Sequence, residues 1–286
     1  MLWRLRLLCA AIAALLPISA TATCAPPPAS DGWAVAAPES VGIDADRLCA
    51  LVPWVEGWKE GDIHAVLVAR HAKLVFEQYF SGADEHWGTP LGNDTAHSRD
   101  QLHDARSVTK SVVALVLGIA LDRGLIKGGL DTPVLDLLPQ YADLRTPEKV
   151  KITFEWVRYP ATGEPVAASG LRLLPRDFAK IGQLVLAHGA WQGKQVVPAV
   201  FVEQPTTPHI NGQQLYFYGY QFWLGRSFVR GREIDWSAAV GLGGQRIFVV
   251  PALDIVAVVN AGLYRSPMQG WVPLVVLNRY VLAAAH

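Results

Sequence analysis

The apolar positions of "IHAVLVARHAKLVFEQYF", residues 63–80, fall in two β-branched runs around a polar step at Arg70 to Lys73. That pattern predicts a hairpin. In "DADRLCALVPWVEGW" the residues Leu48, Leu51, Val52 and Val55 recur at helical spacing, with Asp44 placed as N-cap. "SVTKSVVALVLGIALDRG" reads as a long apolar helix closing at Gly124. "LLPRDFAKIGQLVLAHG" reads as another, with Pro175 in its first turn and Phe178, Ile181, Leu184 and Val185 on one face. "YFYGYQFWLG", "GQRIFVV" and "DIVAVVN" read as strands, the last two joined by a turn at Pro251 to Asp254. "SPMQGWVPLVVLNRYVLAAA" predicts a closing helix. Between these, "SGADEHWGTPLGNDTAHSRD" reads as a loop and "GLDTPVLDLLPQYADL" as short helical turns stopped by proline. Helices before and after a run of antiparallel strands predict an α+β fold, an antiparallel sheet flanked by helices whose N- and C-terminal strands pair.

Length and charge narrow the possibilities. The 286 residues carry 25 Lys+Arg against 25 Asp+Glu, enough chain for one substantial core. The balance gives no electrostatic reason to expect nucleic acid or an anionic membrane surface as partner. Arg4 and Arg6 precede an apolar run from Leu7 to Leu16, and Ala20-Thr21-Ala22 offers a cleavage site. The run is too short for a membrane span and has the layout of a secretory signal. The expected organisation is a signal at 1–22, a Pro-rich lead-in at 23–40 and a single domain at 41–286, secreted or periplasmic. "TATC" before Cys24 is a poor lipid-attachment site. Cys24 and Cys49 could pair in an oxidising compartment, or Cys49 could be a buried helix residue. The cysteine spacing makes no metal site, "HExxH" is absent, no metal is expected, and the eight His are scattered with no serine pairing readable from spacing. The ten Trp read mostly as core filler.

The chemistry concentrates in "HDARSVTKSVVALVLGIALDRG", residues 103–124. Ser107 and Lys110, three residues apart on a helix, share a face. A serine hydroxyl needs a neighbouring base, and lysine serves only when neutral. Bringing its pKa from about 10.4 to near 7 costs about 4.6 kcal/mol. The positive end of the helix supplies about 0.3–1 kcal/mol of that. Burial against Val108, Val112 and Val113, and the Arg106 cation, are expected to supply the rest. The same terminus aims backbone N–H groups at an oxyanion. Against this stands a solvated Lys110 paired with Asp104 or nearby acids. No "GxSxG" elbow is present, Ser169 and Ser227 lying in other contexts. "GLGGQ", Gly241 to Gln245, leads into a strand and so is no dinucleotide fingerprint. No cofactor is expected.

These residues resemble the penicillin-recognising serine hydrolases, which include class C β-lactamases, D,D-peptidases, related esterases and 6-aminohexanoate-dimer hydrolases. "RSVTKSVVALVLGIALDRG" resembles their S-x-x-K helix. "SGLRLLPRDFAKIGQLVLAHGAWQGKQVVP" and "AVGLGGQRIFVVPALDIVAVVNAG" resemble segments that follow in the same order. The resemblance implies a β-lactamase/transpeptidase-like fold and a small-molecule amide or ester substrate. It makes Ser107 an acylated nucleophile and Lys110 its proton partner. The family's Lys-Thr-Gly is missing, and "DWSAAVGLGGQ" stands in its place. Main-chain donors there, with candidates Ser237, Gly241 and Gly243, would complete an oxyanion hole with the Ser107 amide.

The family's Tyr-x-Asn motif has no counterpart. "EKVKIT" runs straight into "FEWVRYPATGEPVAASG", which implies an internal deletion near 153–154 that removes most of the helical lid region. Tyr141 and Tyr159 are the tyrosines left in that interval. By the resemblance, the catalytic alternative is an impaired enzyme or a non-catalytic binding remnant.

Overall fold

The computed structural model describes residues 24–126, 152–212 and 216–286. The leader, the "GLDTPVLDLLPQYADL" turns and Tyr141 lie outside the described residues. Strand β1 (Ala34–Val35) precedes helices α1 (Ala45–Cys49) and α2 (Leu51–Glu56), then the hairpin of β2 (Ile63–Arg70) and β3 (Lys73–Tyr79). A second hairpin, β4 (Gly82–His86) and β5 (Thr89–Thr95), leads to β6 (His103–Asp104) and α3 (Val108–Asp122). Then come β7 (Phe154–Trp156), β8 (Leu171–Leu173), α4 (Pro175–Leu186), β9 (Ala190–Trp191), β10 (Lys194–Gln195) and α5 (Val200–Glu203). The chain continues through β11 (Ile210–Asn211), β12 (Phe217–Tyr218), β13 (Trp223–Val229), β14 (Arg232–Gly241), β15 (Gln245–Val250), β16 (Ile255–Ala261) and α6 (Val272–Val275).

Among the described residues the main sheet has nine strands, in the order β1-β3-β2-β16-β15-β14-β13-β12-β11. It is antiparallel except for β1, which runs parallel to β3. The expected closure of N- on C-terminal strands is present: β16 pairs antiparallel with β2, Ile255 opposite Arg70 and Val259 opposite Val66. The central strands are buried on both faces, which is why they read as near-continuous apolar runs. On one face Val66, Val68, Phe248, Val250, Ala257 and Val259 pack against α1, α2 and the C-terminal helical segment. On the other, Leu67, Ile247, Val249, Val256 and Val258 meet Val108 and Leu115 of α3 and Phe178 and Ile181 of α4. Asp44 caps α1, its carboxylate accepting from the Arg47 amide.

Three sequence expectations change. The polar segment read as a loop forms the β4–β5 hairpin, turned at Trp87 and Gly88, both with positive φ. Its strands have no apolar alternation to announce them. The closing helix is broken into a 3-10 turn (Pro267–Gly270), α6 and a π-helical segment (Val276–Leu282), because Pro267 and Pro273 each remove a backbone donor. "YFYGYQFWLG" is two strands separated at Gln221, which takes a positive φ.

Helix α4 buries not only its apolar face but also Arg176, Asp177 and Lys180. Arg176 donates from Nε to Glu77 Oε1 at 2.8 Å and from Nη1 to Asp31 Oδ2 at 3.0 Å. Lys180 donates to Asp177 Oδ1 at 2.7 Å, and Asp177 Oδ2 accepts from the Thr153 amide at 2.7 Å. Pairing is what lets these charges enter the core. Cys24 and Cys49 form a disulfide, which decides between the two readings of Cys49.

Candidate active site

Ser107 occupies the N-cap position of α3 with φ −70° and ψ −6°, and its side chain makes no capping bond. Its Oγ lies 2.8 Å from Lys110 Nζ. Nζ also donates to the Ala168 carbonyl at 2.6 Å. The i,i+3 relation of the helix therefore brings the two side chains together, and the 168–170 segment holds the amine in place. Burial lowers the Lys110 pKa from its ordinary value, the direction that favours a free amine at the site.

Arg106 is not a neighbouring cation in the sense expected from sequence. It has φ +49°, a strained backbone for a non-glycine residue, and its guanidinium turns away from Lys110. Arg106 Nη2 meets Glu85 Oε1 at 2.5 Å and Asp104 Oδ2 at 3.1 Å, and the group stands 4.9 Å from the centre of the Tyr264 ring. Asp104 is further bound by Arg172 Nε at 2.7 Å and by the Trp87 amide at 2.6 Å. Asp104 is thus committed to arginines, and the alternative of a Lys110–Asp104 pair does not arise. The ion pairs clamp the strained turn that presents Ser107. β8 secures it from behind, since the Ala105 amide donates to Leu171 O at 2.9 Å.

The amides of Val108, Thr109 and Lys110 donate to the carbonyls of Ala105, Arg106 and Ser107. Among the described residues the Ser107 amide donates no hydrogen bond. The helix start thus offers one main-chain donor of its own, fewer than a regular first turn.

The three strand candidates separate. β13 begins at Trp223, opposite Ala238, so residues 239–241 of β14 run past it and abut the turn before Ser107. An atom in the Cβ position of Gly241 would lie 2.5 Å from Ala105 O. The Gly241 carbonyl accepts from Arg246 Nη1 at 3.1 Å. The Arg246 guanidinium has its pKa lowered by burial to about 10. Gly243 does not fit the donor role, because its N–H is spent on Gln269 Oε1 at 2.9 Å. Ser237 lies four residues before Gly241, about 13 Å along a strand. It is paired between Leu224 and Val249 and is not brought to Ser107. Gln245, fully buried, donates to Ala261 O at 2.6 Å and accepts from Asn260 Nδ2 at 3.2 Å. "GLGGQ" is thus a tight turn followed by a brace between β15 and β16.

Among the described residues no tyrosine hydroxyl is hydrogen-bonded to Ser107 or Lys110. Tyr264 donates to Asp84 Oδ1 at 3.0 Å and Tyr218 to Gln221 Oε1 at 3.0 Å. The Tyr159 side chain is exposed. Sequence reasoning missed the clamp of Glu85, Asp104, Arg172 and Tyr264, whose members have no common spacing. It also missed that His64, His97 and His103 gather with Asp84 behind this turn.

Residues 59–157, which include Ser107 and Lys110, match the family model described as Beta-lactamase. No curated protein matches the chain. Among solved structures, the "Putative 6-aminohexanoate-dimer hydrolase from Bacillus anthracis" is similar at TM-score 0.55 and 16% identity, over 79% of this chain and 80% of that one. The octameric penicillin-binding protein homologue from Pyrococcus abyssi gives TM-score 0.56 and 12% identity, over 82% and 77%. A beta-lactamase from Mycobacterium bovis gives 0.50 and 15%, over 79% and 97%. The architecture is the β-lactamase/transpeptidase-like fold. Within that fold, the part matching the Beta-lactamase model, residues 59–157, holds the S-x-x-K helix on which the sequence resemblance rests.

Proposed function

We propose that the protein is an exported serine hydrolase that cleaves a small amide or ester through an acyl-enzyme on Ser107. The observation that carries this reading is the 2.8 Å approach of Lys110 Nζ to Ser107 Oγ. In the neutral amine two N–H groups remain, one donating to Ala168 O, and the lone pair accepts the Ser107 proton as Oγ attacks the carbonyl carbon. The developing oxyanion is met by the Ser107 amide and by the edge of β14 near Gly241 that β13 leaves unpaired. Collapse of the adduct expels the amine or alcohol with the proton returned by Lys110. The Cys24–Cys49 disulfide supports an oxidising compartment, in line with the leader-like first residues.

A second reading is a scaffold that acylates or binds without turnover. It is favoured by the hydroxyls of Tyr218 and Tyr264 being bonded to Gln221 and Asp84 rather than to Lys110 or Ser107. Exposure to a fluorophosphonate and to a chromogenic ester separates the two. A mass adduct on Ser107 with steady ester turnover supports the hydrolase, whereas an adduct with a single burst supports the stalled form. No adduct on a folded protein would overturn the acyl-enzyme itself.

A further inference from the structure

Behind the Ser107 turn lies a group of side chains that the hydrolytic reading does not use. One ligand-capable atom from each of His64, His97, His103 and Asp84 falls within 4.8 Å of the others. They come from β2, the segment after β5, β6 and β4. His64, His103 and Asp84 are buried.

Their hydrogen bonds leave buried nitrogens unused. His103 Nδ1 lies 3.2 Å from the Asp104 carbonyl oxygen, a contact that calls for a proton on Nδ1 and leaves Nε2 a lone pair. His64 Nε2 lies 3.4 Å from Asp62 Oδ1 but makes no hydrogen bond and is buried without a partner. His64 Nδ1 and His103 Nε2 face each other at 2.8 Å. A proton on Nδ1 of each ring makes both contacts, but it leaves the His64 Nε2 lone pair buried and unused. His97 Nε2 is also buried without a partner, and its ring stacks on His64 with centroids 3.9 Å apart. With a cation between His64 Nδ1 and His103 Nε2 the His64 proton sits on Nε2, facing Asp62, and no ring nitrogen of the pair is left unused.

We propose that His64, His97, His103 and Asp84 bind a divalent transition-metal ion, with Zn2+ the fitting member. Three imidazoles and one carboxylate are a tetrahedral nitrogen–oxygen set of borderline softness. Mg2+ and Ca2+ prefer all-oxygen shells. The far nitrogens already face the groups that orient metal-bound histidines, a carboxylate (Asp62) at His64 and a carbonyl (Asp104) at His103. Asp62 is itself held by the Ala83 amide at 2.9 Å. A Cβ on Gly82 would stand 2.7 Å from His64 Nε2, and one on Gly262 would stand 2.8 Å from His64 Cε1, so the ring is seated where only glycines fit. Two nitrogens on one tetrahedral ion lie about 3.3 Å apart, so the facing pair opens by about half an ångström on loading. The ion touches no reacting atom. It ties β2, β4 and β6 together and reaches the Ser107 turn through Asp84, Tyr264 and Arg106.

The test uses the untagged full chain, stripped by chelator and titrated with Co2+ and then Zn2+. One Co2+ per chain with the intense visible bands of a four-coordinate site, displaced by Zn2+, is expected, together with a rise in Tm on Zn2+ addition. His97→Ala and Asp84→Asn should each weaken binding by more than about tenfold, while His71→Ala, at an exposed histidine, binds as wild type. No saturable binding, or unchanged affinity in a folded His97→Ala, overturns the site. Should both variants fail to fold, X-ray absorption of the Zn2+-loaded wild type decides: fewer than two imidazoles on the metal refutes the proposal. Ester turnover is not a readout, so the outcome is independent of the Ser107 assignment.

Discussion

Lys110 Nζ stands 2.8 Å from Ser107 Oγ, one helical turn away, while the Arg106 guanidinium is bound to Glu85 and Asp104. Burial, and not a neighbouring cation, is what lowers the Lys110 pKa. Lys110→Ala should lower the rate of Ser107 acylation about 10²- to 10⁴-fold, the usual worth of a positioned base. Lys110→Arg should not restore it, since a guanidinium keeps its proton. Time-resolved mass spectrometry of the adduct measures both, and equal rates in Lys110→Ala and wild type would remove the base role.

The lowered Lys110 pKa fixes the sign of two pH effects. Acylation should rise with pH and level off at an apparent pKa below the ordinary lysine value. Between the folded and unfolded values the unfolded chain holds more protons, so stability rises with pH across that window. Lys110→Met should therefore be more stable than wild type at neutral pH, with the gap closing as the pH passes the unfolded lysine value. Denaturant melts at neutral and strongly basic pH check this, and a gap that widens with pH would contradict it.

At Gly241 a methyl group would meet the Ala105 carbonyl at 2.5 Å. Gly241→Ala should cost about 1–3 kcal/mol of stability and displace the strand edge from the Ser107 turn. Adduct formation should fall more than Tm alone would suggest. An active, fully stable Gly241→Ala would show that this edge is not part of the site.

Glu77 and Arg176 are both almost fully buried as a pair. Glu77→Ala leaves the guanidinium in the core with only Asp31 as its carboxylate, and should destabilise by about 3–5 kcal/mol. The expected Tm drop is roughly 6 °C or more, read by calorimetry. A change within error would mean that water reaches Arg176.

The Cys24–Cys49 bond closes a loop with a sequence separation of 25. Chain entropy gives it about 3.5 kcal/mol of stabilisation. Cys24→Ser/Cys49→Ser should show that loss in urea melts, and reductant should lower the wild-type midpoint to the same value. Identical midpoints with and without reductant would count against the bond.

The sequence by itself determined the β2–β3 hairpin, the β15–β16 strands, helices α1, α3 and α4, and the meeting of Ser107 with Lys110. Each of these depends on helix or strand periods within a few residues, which local geometry imposes wherever the chain lies. Only the tertiary structure decided the rest. Polar β4 and β5 pair without an apolar signature, and Gly243 spends its amide on Gln269, 26 positions away. Arg106 turns to Glu85 rather than to Lys110. His64, Asp84, His97 and His103 are scattered along the chain and become neighbours because β2, β4 and β6 bring their ends together. Such contacts are set by the register and packing of distant strands, and no spacing between neighbouring residues encodes them.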